Sequence, residues 1–380
     1  MIPYGRQSVG EDDVAAVAET LRSDWLTTGP KVREFEEAVC RYTGAAEAVA
    51  VNSGTAALHA MMAALEIGPG DEVIVPAMTF AATSNSVVYQ GGTPVFADVD
   101  PRTLQICPES VRRLISNRTR AVIAVDYAGL PCDYQTLRSI TDPRGIALLS
   151  DGCHSLGGRI GASKVGTLAD MTSFSFHPVK PITTGEGGMV TTSNRNLAAR
   201  MRQFRNHGIS TDARQREEQG TWYYEMTMLG YNYRICDIQC ALGISQLQKL
   251  DRWLTRRTEI AAVYDQAFAD SGTIQCLSNR PGTVHGYHLY VVKVPAEQRN
   301  AMFRGLRAAG VGVNVHYIPV HLHPFYQKRF QTSRGQCPNA ERAFEQILSL
   351  PIHPNVSEAD QQHVISTLKS LCSISHSRAA

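Results

Sequence analysis

The sequence predicts an α/β protein: a large domain on a mostly parallel, seven-stranded sheet covered on both faces, then a smaller C-terminal α+β domain. Three observations lead there. Seven short apolar runs, at 48–51, 72–75, 94–97, 121–125, 146–149, 172–176 and 188–191, have the length and bounding residues of buried strands. Segments at 81–89, 108–115 and 134–140 separate several of them and are long enough for the crossover helices that parallel pairing requires. Finally, 380 residues with 43% apolar content exceed what one small core organises. The expected division is 1–250 for the large domain with the N-terminal segment and 251–380 for the small one.

The elements follow in order. Val14, Val17 and Leu21 recur at helical spacing over 11–21, the turn-like S-D-W-L-T-T-G-P follows, and a second amphipathic helix covers about 32–42. The strand at 48–51 ends in N-S-G-T, and 55–65 reads as a helix capped by Ser53 or Thr55. A Gly-containing turn at a helix N-terminus suits a phosphate. The same residues are also ordinary caps. After a helix at 196–204 come a polar segment, 206–220, the aromatics Trp222, Tyr223 and Tyr224, and L-G-Y-N-Y-R at 229–234. A long helix is expected over 237–254, positioned to join the two domains, followed by a helix at 258–268, a strand at 288–294, a helix at 296–309, a strand-like V-N-V-H-Y at 313–317 and a last helix after Ser357.

Composition narrows the function. With 37 basic and 35 acidic residues, no bulk charge serves nucleic acid or a membrane surface, so an anionic partner must be met by a local site. Nine scattered cysteines without a C-x-x-C pair indicate a reduced, cytoplasmic chain with neither disulfides nor a zinc or other metal site. The opening M-I-P-Y-G-R-Q has no apolar signal core, and no run approaches a spanning helix, so no membrane association is expected.

The most informative run is S-F-S-F-H-P-V-K-P-I-T-T-G-E-G-G-M-V, 173–190, with Lys180 between two apolar segments. Glycines allow a ligand to approach the backbone, and Ser175, Thr183 and Thr184 supply hydroxyls suited to an oxyanion. A lysine held against apolar groups loses hydration, which favours the neutral amine that attacks carbonyls. An exposed loop lysine fits these eighteen residues equally well. Asp151 directly follows a strand, where a carboxylate can hold the protonated nitrogen of a heteroaromatic cofactor, or simply cap a turn. His154 lies three residues on. Phe80 follows another strand and either stacks on a flat ring or belongs to the core.

Together these pieces, in this order, resemble the fold-type I pyridoxal-phosphate enzymes and, among them, the DegT/DnrJ/StrS sugar aminotransferases. The resemblance runs from L-T-T-G-P at 26–30 through N-S-G-T-A-A-L, D-G-C-H, S-F-H-P-V-K-P-I-T-T-G-E-G-G, N-Y-R-I-C-D-I-Q and H-Y-I-P-V-H to L-S-L-P-I-H-P at 348–354. It implies that Lys180 carries pyridoxal 5'-phosphate covalently and shuttles the proton, and that Asp151 pairs with the ring nitrogen. His154 then contacts the ring hydroxyl and Phe80 stacks on the ring. Ser53, Gly54, Thr55 and Ser175 surround the phosphate, and Asn232 reaches the phosphate of a neighbouring subunit, so the resemblance implies a homodimer with shared active sites. D-G-C-H departs from the commoner forms of its motif at Gly152. The retained lysine disfavours the deoxygenating branch, which has histidine there.

The resemblance further implies transfer of an amino group from glutamate to a nucleotide-linked ketosugar. M-I-P-Y-G-R-Q, W-Y-Y-E-M-x-x-L-G-Y-N-Y-R and V-H-Y-I-P-V-H are similar to the pseudaminic-acid pathway branch, which aminates C4 of a UDP-4-keto-6-deoxy-N-acetylhexosamine. Tyr4, Arg6, Tyr233, His316 and Tyr317 are the candidates for the nucleotide-sugar pocket. Another 3- or 4-keto sugar in glycan or antibiotic synthesis is the alternative. A non-catalytic cofactor-binding regulator is disfavoured by the joint presence of Asp151 and Lys180.

Overall fold

The computed structural model describes residues 1–211, 216 and 220–377, so part of the polar segment expected over 206–220 lies outside the described residues. The seven expected strands form one sheet: β1 (Glu47–Val51), β2 (Glu72–Pro76), β3 (Thr93–Ala97), β4 (Thr119–Val125), β5 (Ala147–Asp151), β6 (Met171–Ser175) and β7 (Gly188–Thr192). Their spatial order is β1-β7-β6-β5-β4-β2-β3. The pairs β2/β3, β2/β4, β4/β5 and β5/β6 are parallel, while β7 is antiparallel to both β1 and β6. All strands except β7 therefore point the same way. The residues that follow β1, β2, β4, β5 and β6 emerge at one edge of the sheet, where ligands of open α/β sheets bind.

Alternation along each strand separates two buried faces. Val49, Val51, Val73, Val75, Ala121, Ile123 and Leu149 share one core cluster. Their neighbours face the other way: Ala48 and Ala50 into a second cluster, Ile74, Val122, Ala124 and Leu148 into a third. Successive side chains of a strand point to opposite faces, so a strand buried on both reads as a continuous apolar run. Helix α1 (Glu11–Leu21) lies on the helix at Asp237–Leu247, and α2 (Pro30–Thr43), α3 (Gly54–Ala64), α4 (Ala81–Tyr89), α5 (Pro108–Leu114), α6 (Tyr134–Thr141) and α7 (Arg195–Phe204) cover the sheet.

The single long helix expected over 237–254 is two helices, α8 (Asp237–Leu247) and α9 (Leu250–Phe268), with the break at Gln248 and Lys249. The break directs Lys249 back to α1, where its ammonium lies 2.7 Å from buried Asp13. Beyond α9 a three-stranded antiparallel sheet contains β8 (Gln275–Cys276), β9 (Tyr290–Lys293) and β10 (Ile347–Leu350). It packs with α9, α10 (Ala296–Ala308) and α11 (Glu358–Ser377) around Tyr264, Val292, Leu306 and Leu348. V-N-V-H-Y, expected as a strand, contributes only an isolated bridge between Asn314 and Ser349. Val313 is buried in the small core, while Val315 and Tyr317 pack against the core of the large sheet. Ile2 bridges Val311, so the first residues are tied to this C-terminal region.

Candidate active site

Asp151 is the last residue of β5 and is buried. One carboxylate oxygen accepts a hydrogen bond from the Thr83 hydroxyl at 2.7 Å, the other from the Cys153 amide at 3.2 Å. Thr83 stands in the first turn of α4, three residues after Phe80, and its hydroxyl also meets that of Thr79 at 2.7 Å. Phe80 itself is 59% exposed although it lies at the buried edge of the sheet, and its ring centroid is 5.9 Å from that of Tyr317. An aromatic left open beside a buried carboxylate is a surface for a flat ring to cover.

Lys180 lies in the loop between β6 and β7. That loop folds on itself: the Thr184 amide and Thr183 hydroxyl both donate to Phe176 O at 3.0 Å, and the Thr184 hydroxyl donates to Glu186 O at 2.7 Å. The hydroxyls of Thr183 and Thr184, expected to serve an oxyanion, are therefore engaged in holding the lysine loop. Desolvation lowers the Lys180 pKa below the ordinary lysine value, opposed by the nearby Asp151 carboxylate.

The S-G-T turn closes the other side. Ser53 caps α3 through its hydroxyl, which accepts from the Ala56 amide at 3.1 Å, and its carbonyl accepts from Ala57 N at 3.0 Å. This leaves the amides of Gly54 and Thr55, which the helix's own ladder cannot satisfy, at the helix terminus. A Cβ on Gly54 would come within 2.8 Å of Ser175 Cβ and 3.3 Å of Cys153 Sγ, so the helix end, Ser175 and the D-G-C-H turn converge. A Cβ on Gly188 would strike Ser53 O at 2.3 Å, which fixes glycine there.

His154 is buried, with Nε2 3.1 Å from the Tyr317 hydroxyl and Nδ1 without a partner. Burial and the Lys180 charge push its pKa well down, so it is a neutral imidazole at pH 7. His316 lies beside it, held by Ser349 Oγ at 2.8 Å on Nδ1, with its ring 5.2 Å from that of Tyr4. The N-terminal segment reaches the lysine loop directly: a Cβ on Gly5 would lie 3.4 Å from Val179 Cβ. Arg6 is exposed, and its charge helps hold the His353 pKa down, to about 4, an effect dominated by burial.

Within one chain the structure thus gathers Ser53, Gly54, Thr55, Phe80, Asp151, His154, Ser175, Lys180, Tyr4, His316 and Tyr317 at the strand ends. Asn232 and Tyr233 join this group through their backbone, the Tyr233 carbonyl accepting from the amide of Asn52, next to Ser53, at 2.9 Å and the Asn232 carbonyl from Asn52 Nδ2 at 3.4 Å. Asn232 is exposed, and the Tyr233 hydroxyl is 3.0 Å from Nδ1 of buried His59 in α3, with its ring stacked on Tyr231. A cavity of about 1140 Å³ lies away from Lys180; Thr28, Arg33, Arg205, Arg216 and Arg234 line it. Thr83 is the partner of Asp151 that the sequence did not single out. Its position one turn after Phe80 was the available signal.

These groups fit pyridoxal phosphate: an amine of lowered pKa, a buried carboxylate, a buried imidazole with an unused nitrogen, an open aromatic face, and a helix terminus tightly apposed to a serine. A sequence profile described as the DegT/DnrJ/EryC1/StrS aminotransferase family matches residues 7–369. The spore coat polysaccharide biosynthesis protein SpsC of Bacillus subtilis is 40% identical over 377 residues, covering 97% of each chain. The putative sugar aminotransferase Spr1654 of Streptococcus pneumoniae, in its PMP form, matches with a TM-score of 0.94 and 34% identity over 98% of this chain and 100% of that one. Helicobacter pylori PseC, an aminotransferase involved in the biosynthesis of pseudoaminic acid, matches with a TM-score of 0.91 and 31% identity over 98% of this chain and 99% of that one. The chain belongs to the DegT/DnrJ/EryC1/StrS aminotransferase family, whose members are pyridoxal-phosphate-dependent sugar aminotransferases.

Proposed function

We propose that this enzyme moves an amino group from glutamate to C4 of a UDP-4-keto-6-deoxy-N-acetylhexosamine in a pseudaminic-acid pathway. The observation that carries the aminotransferase chemistry is the joint placement of Lys180, Asp151 and His154 at adjacent strand ends; the likeness to PseC supports the sugar. The 40% identity with SpsC favours a second reading, amination of another nucleotide-linked keto sugar for a surface polysaccharide.

When bound, pyridoxal phosphate supplies a carbon that carries the amino group and a ring that accepts the electron pair left when a proton departs. Asp151, held in place by Thr83, pairs with the proton of the ring nitrogen. His154 meets the ring hydroxyl and Phe80 covers the ring face. The Gly54 and Thr55 amides and the Ser53 and Ser175 hydroxyls hold the phosphate. Lys180, neutral more readily than an exposed lysine, would hold the cofactor at its carbonyl carbon with loss of water; once the donor's amino group has displaced it, its freed Nζ would take the proton from the donor's α-carbon and later deliver one to C4 of the sugar. Tyr4, Arg6, His316 and Tyr317 line the sugar pocket. Tyr233, anchored by His59, sets the position of its neighbour Asn232.

Asn232 serves the phosphate of a second copy, so the working unit is a homodimer. Trp222 (83% exposed) and Leu229 (75%), with Tyr223, Tyr224 and Met226, leave an apolar surface that such a partner would cover. The nine cysteines are scattered without a C-x-x-C pair, which supports a reducing, cytoplasmic setting; no described helix is long and apolar enough to cross a membrane. The test is a coupled assay with glutamate and a panel of UDP- and dTDP-linked 4-keto and 3-keto sugars, with the aminated product identified. Amination of the UDP-4-keto-6-deoxy-N-acetylhexosamine in preference to the others is expected. Preference for a different sugar selects the second reading, and absence of product together with no borohydride-fixed cofactor on Lys180 would overturn both.

A further inference from the structure

His288 has no part in the reading above. It ends an H-G-Y-H loop, 285–288, that the C-terminal region lays across the turn after β4, against the turn after β5. The contact is backbone on backbone: Gly286 N donates to Gly129 O at 2.7 Å, and Leu289 N to Ala128 O at 3.1 Å. A Cβ on Gly129 would lie 2.7 Å from Tyr287 N and 2.8 Å from His154 O; one on Gly286 would lie 3.1 Å from His154 O. Two glycines therefore let the loop seat directly on the residue that follows Asp151 by three. Arg257 secures it from behind, its buried guanidinium donating to Tyr287 O at 2.9 Å and Ile352 O at 2.6 Å.

The result is a pair of imidazoles, His154 and His288, with ring centroids 4.4 Å apart and an interplanar angle of 47°. Both are buried, and Nδ1 of each lacks a partner. His154 makes one side-chain hydrogen bond, to Tyr317. One bond sets the distance of an imidazole but leaves its plane free to turn, whereas a second ring wedged against it at a fixed tilt restrains the plane. Burial, and after it the charged and titratable neighbours Lys180, His285, His316 and Arg257, oppose a further positive charge on this pair, so the two rings stay neutral and pack without repulsion.

We propose that His288 is a positioning residue of the active site: packed on His154, it fixes the plane of that imidazole and so the hydrogen bond His154 offers the ring hydroxyl of the cofactor. The inference rests on His154 facing that hydroxyl, as proposed above.

The test uses full-length protein reconstituted with pyridoxal phosphate, following the visible absorbance of the bound cofactor against pH in wild type, His154→Leu, His288→Leu and His288→Phe. Loss of a hydrogen bond at the ring hydroxyl changes the charge held there and moves the spectral midpoint. His154→Leu and His288→Leu should both move it in the same direction, by about half a pH unit or more. His288→Phe, which keeps a flat ring in place, should stay near wild type. If His154→Leu moves the midpoint and His288→Leu does not, the inference is overturned while the reading of His154 stands. If neither moves it, that reading falls and the inference with it. Should His288→Leu fail to fold, His288→Phe decides alone: a midpoint displaced as far as in His154→Leu overturns the role of the ring.

Discussion

At the scale of single residues, the site is organised by which polar groups are spent and which are left open. The Thr83 hydroxyl is spent on Asp151 at 2.7 Å. A hydrogen bond to a charged group contributes about 1.5–3 kcal/mol, so Thr83→Val should slow turnover by about ten- to a hundredfold while cofactor still binds. Single-turnover kinetics with reconstituted protein checks this, and an unchanged rate would remove Thr83 from the site. Lys180, Asp151, His154 and Phe80 were legible in the sequence because each follows an apolar run, and strand ends are where an α/β sheet exposes function. Thr83 and His288 were not, since a threonine in a helix and a histidine before a strand have no distinguishing pattern of their own.

At the scale of elements, the S-G-T turn works because α3 starts where β1, β6 and β7 meet. Gly54→Ala would press a methyl against Ser175 Cβ at 2.8 Å and displace the helix end from the serine. Overpacking of this kind costs about 1–3 kcal/mol, so the affinity for pyridoxal phosphate should fall about tenfold with secondary structure intact, as fluorescence titration and circular dichroism would show. Below the D-G-C-H turn, buried Asp126 accepts from the Ser155 hydroxyl at 2.6 Å, the Tyr134 hydroxyl at 2.7 Å and the Cys132 amide at 2.8 Å. Burial raises its carboxyl to about 6 despite these bonds. A raised native pKa means that its contribution to stability is full below the ordinary carboxyl pKa and is lost as pH rises through about 6. Asp126→Asn should therefore gain more stability than wild type as pH rises from 4 to 6.5, measured by urea denaturation. The expected element types were largely readable from periodicity, whereas the break between α8 and α9 was not: apolar spacing continues across it, and only the pairing of Lys249 with Asp13 marks the place.

At the scale of the whole molecule, several buried histidines oppose Asp126. Burial lowers His59, His316 and His353 to about 4 and His285 to about 3. For a base with a lowered native pKa the unfolded chain binds the proton more tightly, so their stabilisation is present above the ordinary histidine pKa and is lost as pH falls toward 4. Urea midpoints of the apoprotein should accordingly fall on acidification from pH 7 to pH 4.5, with the four histidines outweighing the one aspartate. We propose the domain division at 250/251. Helix α9 spans it, with Leu250, Trp253 and Leu254 in a core of the large sheet and Ile260, Tyr264 and Phe268 in that of the small one.

What the sequence by itself determined is the succession of elements, because strand and helix periodicities and turn residues are local, and the family, because its motifs recur at matching positions along nearly the whole chain. Tertiary structure alone decided which hydroxyls remain available, that Thr83 serves Asp151, and that His288 from the C-terminal region lies on His154. The last two are contacts between residues far apart in the chain, and the second of them is set by the close approach of Gly129 and Gly286. No local pattern encodes such distances, since they arise only when both cores have packed.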